Sequence, residues 1–512
     1  MEAILVLPDQ LTEAVGPVAR AIAGDPSERR VLVLESTSAW ARPRHIQAIV
    51  SEVLAARRYV QSLAQQGIPA STLRCAEVRA GLRDLRTTAG IERLLLMEPA
   101  SPEQLDEIRA AAAAESVELV VVPNELWLTS RGEWEAYRAG RTELRMEHWY
   151  RRVRAARGWL IEEHDGGARP IGGTWNLDAD NRKRLPRGAA VPQPRHFGDR
   201  SVVQRTAEEV GALAPRAFGT VDAFRWPTSR PEALDALEAF CTERLPQFGP
   251  YEDALSSEHE YLFHSVLSGA LNLGLLTPEE VCRRALAEWE ARREEIPLQS
   301  IEGFIRQILG WREFMHHAYV DFRETWRSAN GMEHGAELPS MYWSGDTKMS
   351  CISRVVGKVA STGYAHHIER LMLLGNFALL LEVVPQQVSD WFLEAFADAY
   401  PWVVVPNVVA MSQFADLGLI TSKPYIAGGA YVSRMGDDCR SCAYDPKRSA
   451  GLDACPLTTL YWSFVDRHGA LLARNPRTAT QVRAWEQRSA AARAEIRARA
   501  TEVRRAAEAG TL

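Results

Sequence analysis

No stretch of the 512 residues reaches the length of about 18 apolar side chains that a membrane-crossing helix needs. The opening MEAILVLPDQL has no basic region and no small-residue cleavage site, so it reads as a buried strand rather than a targeting peptide. GxGxxG is absent, which removes the usual dinucleotide fingerprint. Internal repeats and low-complexity tails are also missing. Cysteine is scarce: there are seven, an odd number at uneven spacing, which argues against a secreted disulfide scaffold and predicts a reducing, cytoplasmic setting. Excess charge is missing too. A net charge of −6 announces no polyanionic partner, although a local basic groove on an acidic protein is compatible with one.

What is present is globular: 46% hydrophobic and 25% charged residues, enough chain for more than one core. The 15 Trp are mostly explained by packing. Ile4–Leu7, Val31–Glu35, Glu92–Pro99 and Val117–Pro123 are short apolar runs alternating with helical patterns, as in a parallel sheet. That alternation predicts a doubly wound α/β domain over residues 1–130, with any ligand at the carboxyl ends of the strands. Residues 131–225 read as an irregular wrapping connector, its Gly-, Pro- and charge-rich stretch running from Gly166 to Gly188. Residues 226–512 are helical almost throughout, ending in an Arg/Ala-rich amphipathic stretch that reads as a solvated surface helix.

Two segments concentrate chemistry. Cys439 and Cys442 form a CxxC, and Cys455 precedes Pro456; one turn can thus offer two soft ligands to a metal, with Cys351 the best candidate for a fourth. Spacing alone leaves structural zinc, an iron–sulfur cluster and an unligated redox pair all open. The other segment holds His366 and His367, read as helical neighbours about 100° apart and therefore poor joint ligands. Arg370 in an apolar helix needs an anion, and Asp398 in AFADAY is the natural one. His264–Gly274 places two hydroxyls at a helix start, a weak phosphate signal.

These residues carry a resemblance. EGFIRQILGWREFM (Glu302–Met315), YAHHIERLM (Tyr364–Met372), LPQFGPYEDAL (Leu245–Leu255), NVVAMSQFAD (Asn407–Asp416) and the Cys439–Cys455 segment resemble the photolyase/cryptochrome family, in its bacterial iron–sulfur branch of (6-4) photolyases and cryptochrome-like proteins. The resemblance implies an α/β antenna domain, a connector and an all-helical FAD-binding domain. It implies a [4Fe-4S] cluster on Cys351, Cys439, Cys442 and Cys455, overriding zinc. It implies FAD with its pyrophosphate at Ser265, Leu267 and Ser268, with Gln307, Trp311 and Arg312 along the isoalloxazine and Arg370 and Asp398 paired against it. His367, with His366 beside it, would supply a proton to the lesion; Tyr425 and Tyr431 would line the lesion pocket; Trp343 and Trp391 would carry electrons from the surface.

Two departures stand out. Phe392 replaces the Tyr expected at the outer end of the electron route, which removes a terminal tyrosyl radical. Val404 stands where Asn or an acid is expected opposite flavin N5, which disfavours a protonated flavin radical. For a lumazine antenna (6,7-dimethyl-8-ribityllumazine), Asp9, Gln10 and Glu35 fit a polar pocket, but Ala39 replaces an expected acid and Trp40 is bulky nearby. The implied function is light-driven repair of (6-4) photoproducts by a monomer acting on UV-damaged DNA; the alternative is a blue-light photoreceptor with little repair.

Overall fold

The computed structural model describes residues 1–24, 29–164 and 167–512; Gly166, the start of the connector's Gly-rich stretch, lies outside the described residues. The first half is a five-stranded parallel sheet in the order β3-β2-β1-β4-β5. The strands are β1 Glu2–Val6, β2 Arg30–Ser36, β3 Ala70–Cys75, β4 Arg93–Met97 and β5 Glu118–Val122. β3 was absent from the expected set. As an edge strand it pairs only with β2 and buries only Leu73, and its sequence ASTLRC lacks the continuous apolar run of the inner strands.

The strand order reverses between β1 and β4, where doubly wound sheets open a crevice. Here the Gln10 amide closes it, donating to Met97 O at 2.9 Å and Glu98 O at 3.1 Å. The helical half docks on the same edge: Leu11 N–H donates to Leu273 O at 2.9 Å. Gly274, at φ +78°, allows this approach, since a Cβ there would lie 3.0 Å from Leu11 N.

The helix Ile46–Gln65 binds three parts of the chain together. His45 caps it, accepting from Gln47 N–H, while the Gln47 amide donates to Thr220 O and Ser361 O and accepts from the Trp226 indole. The connector is more regular than its composition suggested. It holds the helices Arg131–Arg138, Met146–Arg157 and Arg200–Gly211 and an antiparallel hairpin, Ile161–His164 with Gly167–Pro170. The Ser130/Glu133 capping box was a readable start signal for the first of these.

Beyond residue 226 the chain is helical, with π-type turns at Phe240–Arg244, Arg306–Arg312, Glu369–Gly375 and Pro406–Ser412. Such turns concentrate at functional sites. The C-terminal stretch, expected as one helix, is two: Ala479–Glu486 and Ala490–Glu508, the second capped by Ser489. Among the described residues no helix is long and apolar enough to cross a membrane.

Candidate functional site

Three histidines meet at the centre of the helical half. His264 and His366 stack with ring centroids 4.6 Å apart and planes 13° apart, and His367 lies 5.4 Å from His264. His366 is not in the helix as expected but one residue before it, because the chain is still extended after Gly363; His367 is its first helical residue. The three offer ligand atoms within 4.8 Å of one another. Even so, a metal must lie in the plane of each ligating imidazole, and two parallel stacked rings share no such point. The set therefore does not fit a single metal ion held by all three rings.

The histidines differ in charge preference. Burial drives His366 and His264 well below the usual histidine range, and neighbouring Lys358 (for His366) and His366 (for His264) add to it. Burial also acts against His367, but there a hydrogen bond to Asp253 and the nearby Glu252 charge outweigh it and raise the pKa. Its Nε2 is 3.4 Å from Asp253 Oδ1, and its side chain is 42% exposed though surrounded by protein, as on the wall of an open cavity. Glu252 in turn is held by the amides of Asn181 and Gln307, each at 2.6 Å. Gln307, expected along the isoalloxazine, thus faces the histidine wall. Tyr425 and Tyr431 also belong to this side. Burial raises both phenols, Asp178 acts on both and Asp253 on Tyr431, while Arg182 offsets each.

Beneath the histidines lies an ionic group. Glu369 is bound by Lys358 and, at 3.0 Å, by Arg354. Burial alone would raise the Glu369 carboxyl; the two cations hold it below its usual range. Lys358 is also lowered, because burial, with the like charge of Arg354 adding to it, outweighs the attraction of Glu369. We take Glu369 as ionised, since the Arg354 guanidinium stays charged.

The expected pair of Arg370 and Asp398 is present: Arg370 Nη2 donates to both carboxylate oxygens, at 2.9 and 3.0 Å. Ser268 Oγ donates to Asp398 Oδ2 at 2.6 Å, and the Asn272 amide donates to its backbone carbonyl. The Arg370 guanidinium lies 4.2 Å from the Phe396 centroid; Phe396 meets Trp391 at 5.6 Å, and Trp391 meets Trp343 at 6.4 Å. Trp391 is buried and Trp343 is 38% exposed, so the aromatic path reaches the surface. Phe392 stacks on Phe396 and touches Trp391. Val404 is buried in the same apolar core.

Upstream of Ser268 the chain is strained. Leu262 and the β-branched Val266 have φ of +46° and +56°. Such outliers cluster at ligand sites. Val266 separates Ser265 from Leu267, whose side chain packs into the core. Beside them Arg244 is fully buried with Nε and Nη1 unpartnered; its Nη2 reaches only Ser265 O, at 3.4 Å. Burial lowers its pKa to about 10. A buried cation without an anion fits the FAD pyrophosphate expected at Ser265, Leu267 and Ser268. Trp311 and Arg312, expected along the isoalloxazine, sit among aromatic and charged neighbours. Arg312 stacks over Trp127 at 4.0 Å and Trp402 at 5.4 Å and pairs with buried Glu313, while Trp311 packs near Phe314. Replacing Arg244 with Met is expected to weaken FAD binding roughly 10- to 150-fold, the value of a charge-assisted hydrogen bond. Fluorescence titration of released FAD measures it.

The four expected metal ligands, Cys351, Cys439, Cys442 and Cys455, line one cavity with Met349, Asp438 and Leu457. All four thiols are free. Gly429 lets the wall close in, for a Cβ there would come within 2.8 Å of Cys455 Sγ. The four soft donors line an apolar cradle, but no three of their sulfurs lie within 4.8 Å of one another, which is too wide for a single zinc ion and leaves room for an iron–sulfur cluster.

In the α/β half, Asp9 and Glu35 each keep one carboxylate oxygen buried without a hydrogen bond, the Glu35 oxygen facing Arg57 Nε at 3.6 Å. Burial, with Glu52 adding to it, pushes Asp9 up to about 7. Glu35 is raised by burial against the charge of Arg57, which also pairs with Glu209. These orphaned oxygens fit a polar ligand, whereas Gln10 is committed to β4. Trp40 is buried under Arg74, and Ala39 precedes it in the short helix Thr37–Trp40.

The α/β sheet, the helical half and the buried arginine–aspartate pair between them define a photolyase-type architecture. The chain is 36% identical over 511 residues to a (6-4) photolyase from Agrobacterium fabrum, covering 97% of this chain and 98% of that one. A family profile described as deoxyribodipyrimidine photo-lyase-related protein matches residues 4–226. Among solved structures, a bacterial class III photolyase from Agrobacterium tumefaciens superposes with a TM-score of 0.60 at 14% identity, covering 92% of this chain and 97% of that one. An archaeal photolyase from Sulfolobus tokodaii, crystallised with two FAD molecules, gives 0.54 at 13% identity, covering 82% and 84%. The chain belongs to the photolyase/cryptochrome family.

His264, Asp253, Glu252, Glu369, Lys358 and Arg244 were not singled out from the sequence. A lone Lys in VVGKVAST and an acid in HHIERLM were the available signals, being charges on otherwise apolar faces.

Proposed function

We propose that this protein is a DNA photolyase that reverses (6-4) pyrimidine photoproducts in light. The observation that carries the reading is the pairing of opposite histidines: a half-exposed His367 biased toward its charged form beside a buried, neutral His366. Reduced FAD, when bound and excited, supplies the repairing electron. His367 supplies the proton. Its Nε2 faces Asp253, which leaves Nδ1 to donate into the cavity. Neutral His366 and His264 behind it accept without adding a competing charge. Tyr425 and Tyr431 stand on the side of His367 and Asp253, where a nucleotide turned out of the duplex would be taken up, as acting on a stacked base demands. Arg182, Arg434 and Arg477 surround the two tyrosines and suit backbone phosphates. Arg370 stabilises negative charge at the FAD site, and Trp391 and Trp343 lead from it to the surface. Cys351, Cys439, Cys442 and Cys455 hold a [4Fe-4S] cluster, and the orphaned Asp9 and Glu35 oxygens take the antenna.

The test is an oligonucleotide carrying one (6-4) lesion, illuminated with blue light and reductant, against a matched cyclobutane dimer and a dark control. Light-dependent loss of the (6-4) lesion alone is expected. Bound, photoreducible FAD with no repair of either lesion would overturn this reading in favour of a photoreceptor, the one that Phe392 favours by removing the outer tyrosine.

A further inference from the structure

The cysteine cavity and the histidine pocket are joined by one helix and one buried chain of charges. The helix Ser350–Thr362 begins at Cys351 and carries Arg354 and Lys358 one and two turns on, along a single face. Arg354 Nε and Nη2 fork onto the Asp438 carboxylate at 2.6 and 3.0 Å, and Asp438 immediately precedes Cys439. The third nitrogen, Nη1, reaches Glu369 Oε1 at 3.0 Å. Glu369 Oε2 binds the Lys358 ammonium, accepts the His366 backbone N–H at 3.2 Å and lies 3.5 Å from His366 Nε2. Lys358 is anchored further by Glu260 O at 2.7 Å. Two cations and two carboxylates make a neutral set, and Glu369, with 1% of its side chain exposed, has no room to choose another partner.

We propose that Arg354 and Glu369 form a strut that couples the cysteine cluster to the histidine pocket, with Glu369 as the positioning residue for His366. Its effect on turnover rests on the repair reading; the coupling itself does not. The Cys351 helix and the Cys439–Cys455 loop are far apart in sequence. A cluster holding both in one cavity also holds Arg354 and Asp438 together, since their ion pair spans the same two segments. Buried ion networks add little stability over apolar packing, and what they can supply is a unique arrangement. Here the arrangement fixes the main chain at His366. The cluster is thereby a positional anchor for the histidines as well as a clamp on its own loop.

The experiment uses the full chain with FAD and cluster bound and ¹⁵N-histidine labelling, comparing E369Q and R354Q with the parent protein. Visible absorption reports both cofactors, and the His366 ring resonance reports the pocket. Both variants are expected to keep FAD and cluster, to displace the His366 signal and to lose about tenfold or more in the repair step, as for other residues supporting a reactive group. Lesion binding should change far less. An unmoved His366 signal in R354Q overturns the strut. Should R354Q not fold, R354K serves: lysine keeps the charge but cannot fork onto one carboxylate while bridging to the other, so an unmoved signal there overturns it equally. A displaced signal in the variants, with a parent protein that itself repairs no lesion, upholds the strut and overturns the repair reading alone.

Discussion

Alanine at His367 is expected to lower (6-4) repair by about 10²- to 10⁴-fold, the range of a lost general acid. FAD and cluster should be retained, because His367 touches neither the Arg370–Asp398 pair nor any of the four cysteines. The pH profile gives a second, independent reading. His367 is raised above its usual value by Asp253 and Glu252 once burial has been overcome, so it is protonated at low pH and repair should fall as pH rises through that raised pKa. Replacing Asp253 with Asn removes the largest favourable contribution and should slide the limb to lower pH. The same shift is linked to stability. The His367–Asp253 contact contributes fully below the ordinary histidine pKa of about 6.5, and is lost as pH rises through the raised folded value. Wild-type turnover by His367→Ala, or a profile unmoved by Asp253→Asn, would remove His367 from the chemistry.

Much of the fold was legible because parallel strands covered on both faces are written as unbroken apolar runs, as in ILVL and VLVLE, and the edge strand β5 keeps such a run in VELVVV. β3, the opposite edge, was not, since it buries only Leu73 and spells ASTLRC. The cysteine ligands were legible in part. CxxC with a later Cys-Pro announces a soft-metal site, and Cys351, many residues away, was the best candidate for a fourth donor, while the kind of metal was given only by the resemblance. The histidine site was half legible for the same reason. His366 and His367 announce themselves as neighbours. His264 stacks on them from another segment, and Asp253, which sets the His367 charge, comes from a loop of ordinary composition. Charge preference was the least readable property. It depends on which histidine is buried and which faces a carboxylate, and the chain turn after Gly363 decides that.

Arg370→Ala should cost more stability than any other single change to the FAD site. Asp398 has 6% of its side chain exposed and accepts two bonds from Arg370 and one from Ser268. Removing the guanidinium leaves that carboxylate with one neutral donor in a medium that solvates it poorly. Fully buried pairs lose about 3–5 kcal/mol when one partner is deleted. Arg370 is 24% exposed, so water can partly replace it and the lower end, about 3 kcal/mol, is the better expectation. The double variant Arg370→Met with Asp398→Leu separates the two consequences. It removes both charges and fills the space, so most of the stability should return, while FAD binding should not, since the positive charge and the Asp398 anchor for Ser268 are both gone. Chemical denaturation of the FAD-free proteins gives the first quantity, and FAD-dependent stabilisation of the same proteins gives the second. If Arg370→Ala is within experimental error of the parent, Asp398 is already solvated and the pair is a surface contact. If the double variant still binds FAD as tightly, the guanidinium does not face the flavin, and the assignment of Arg370 fails with it.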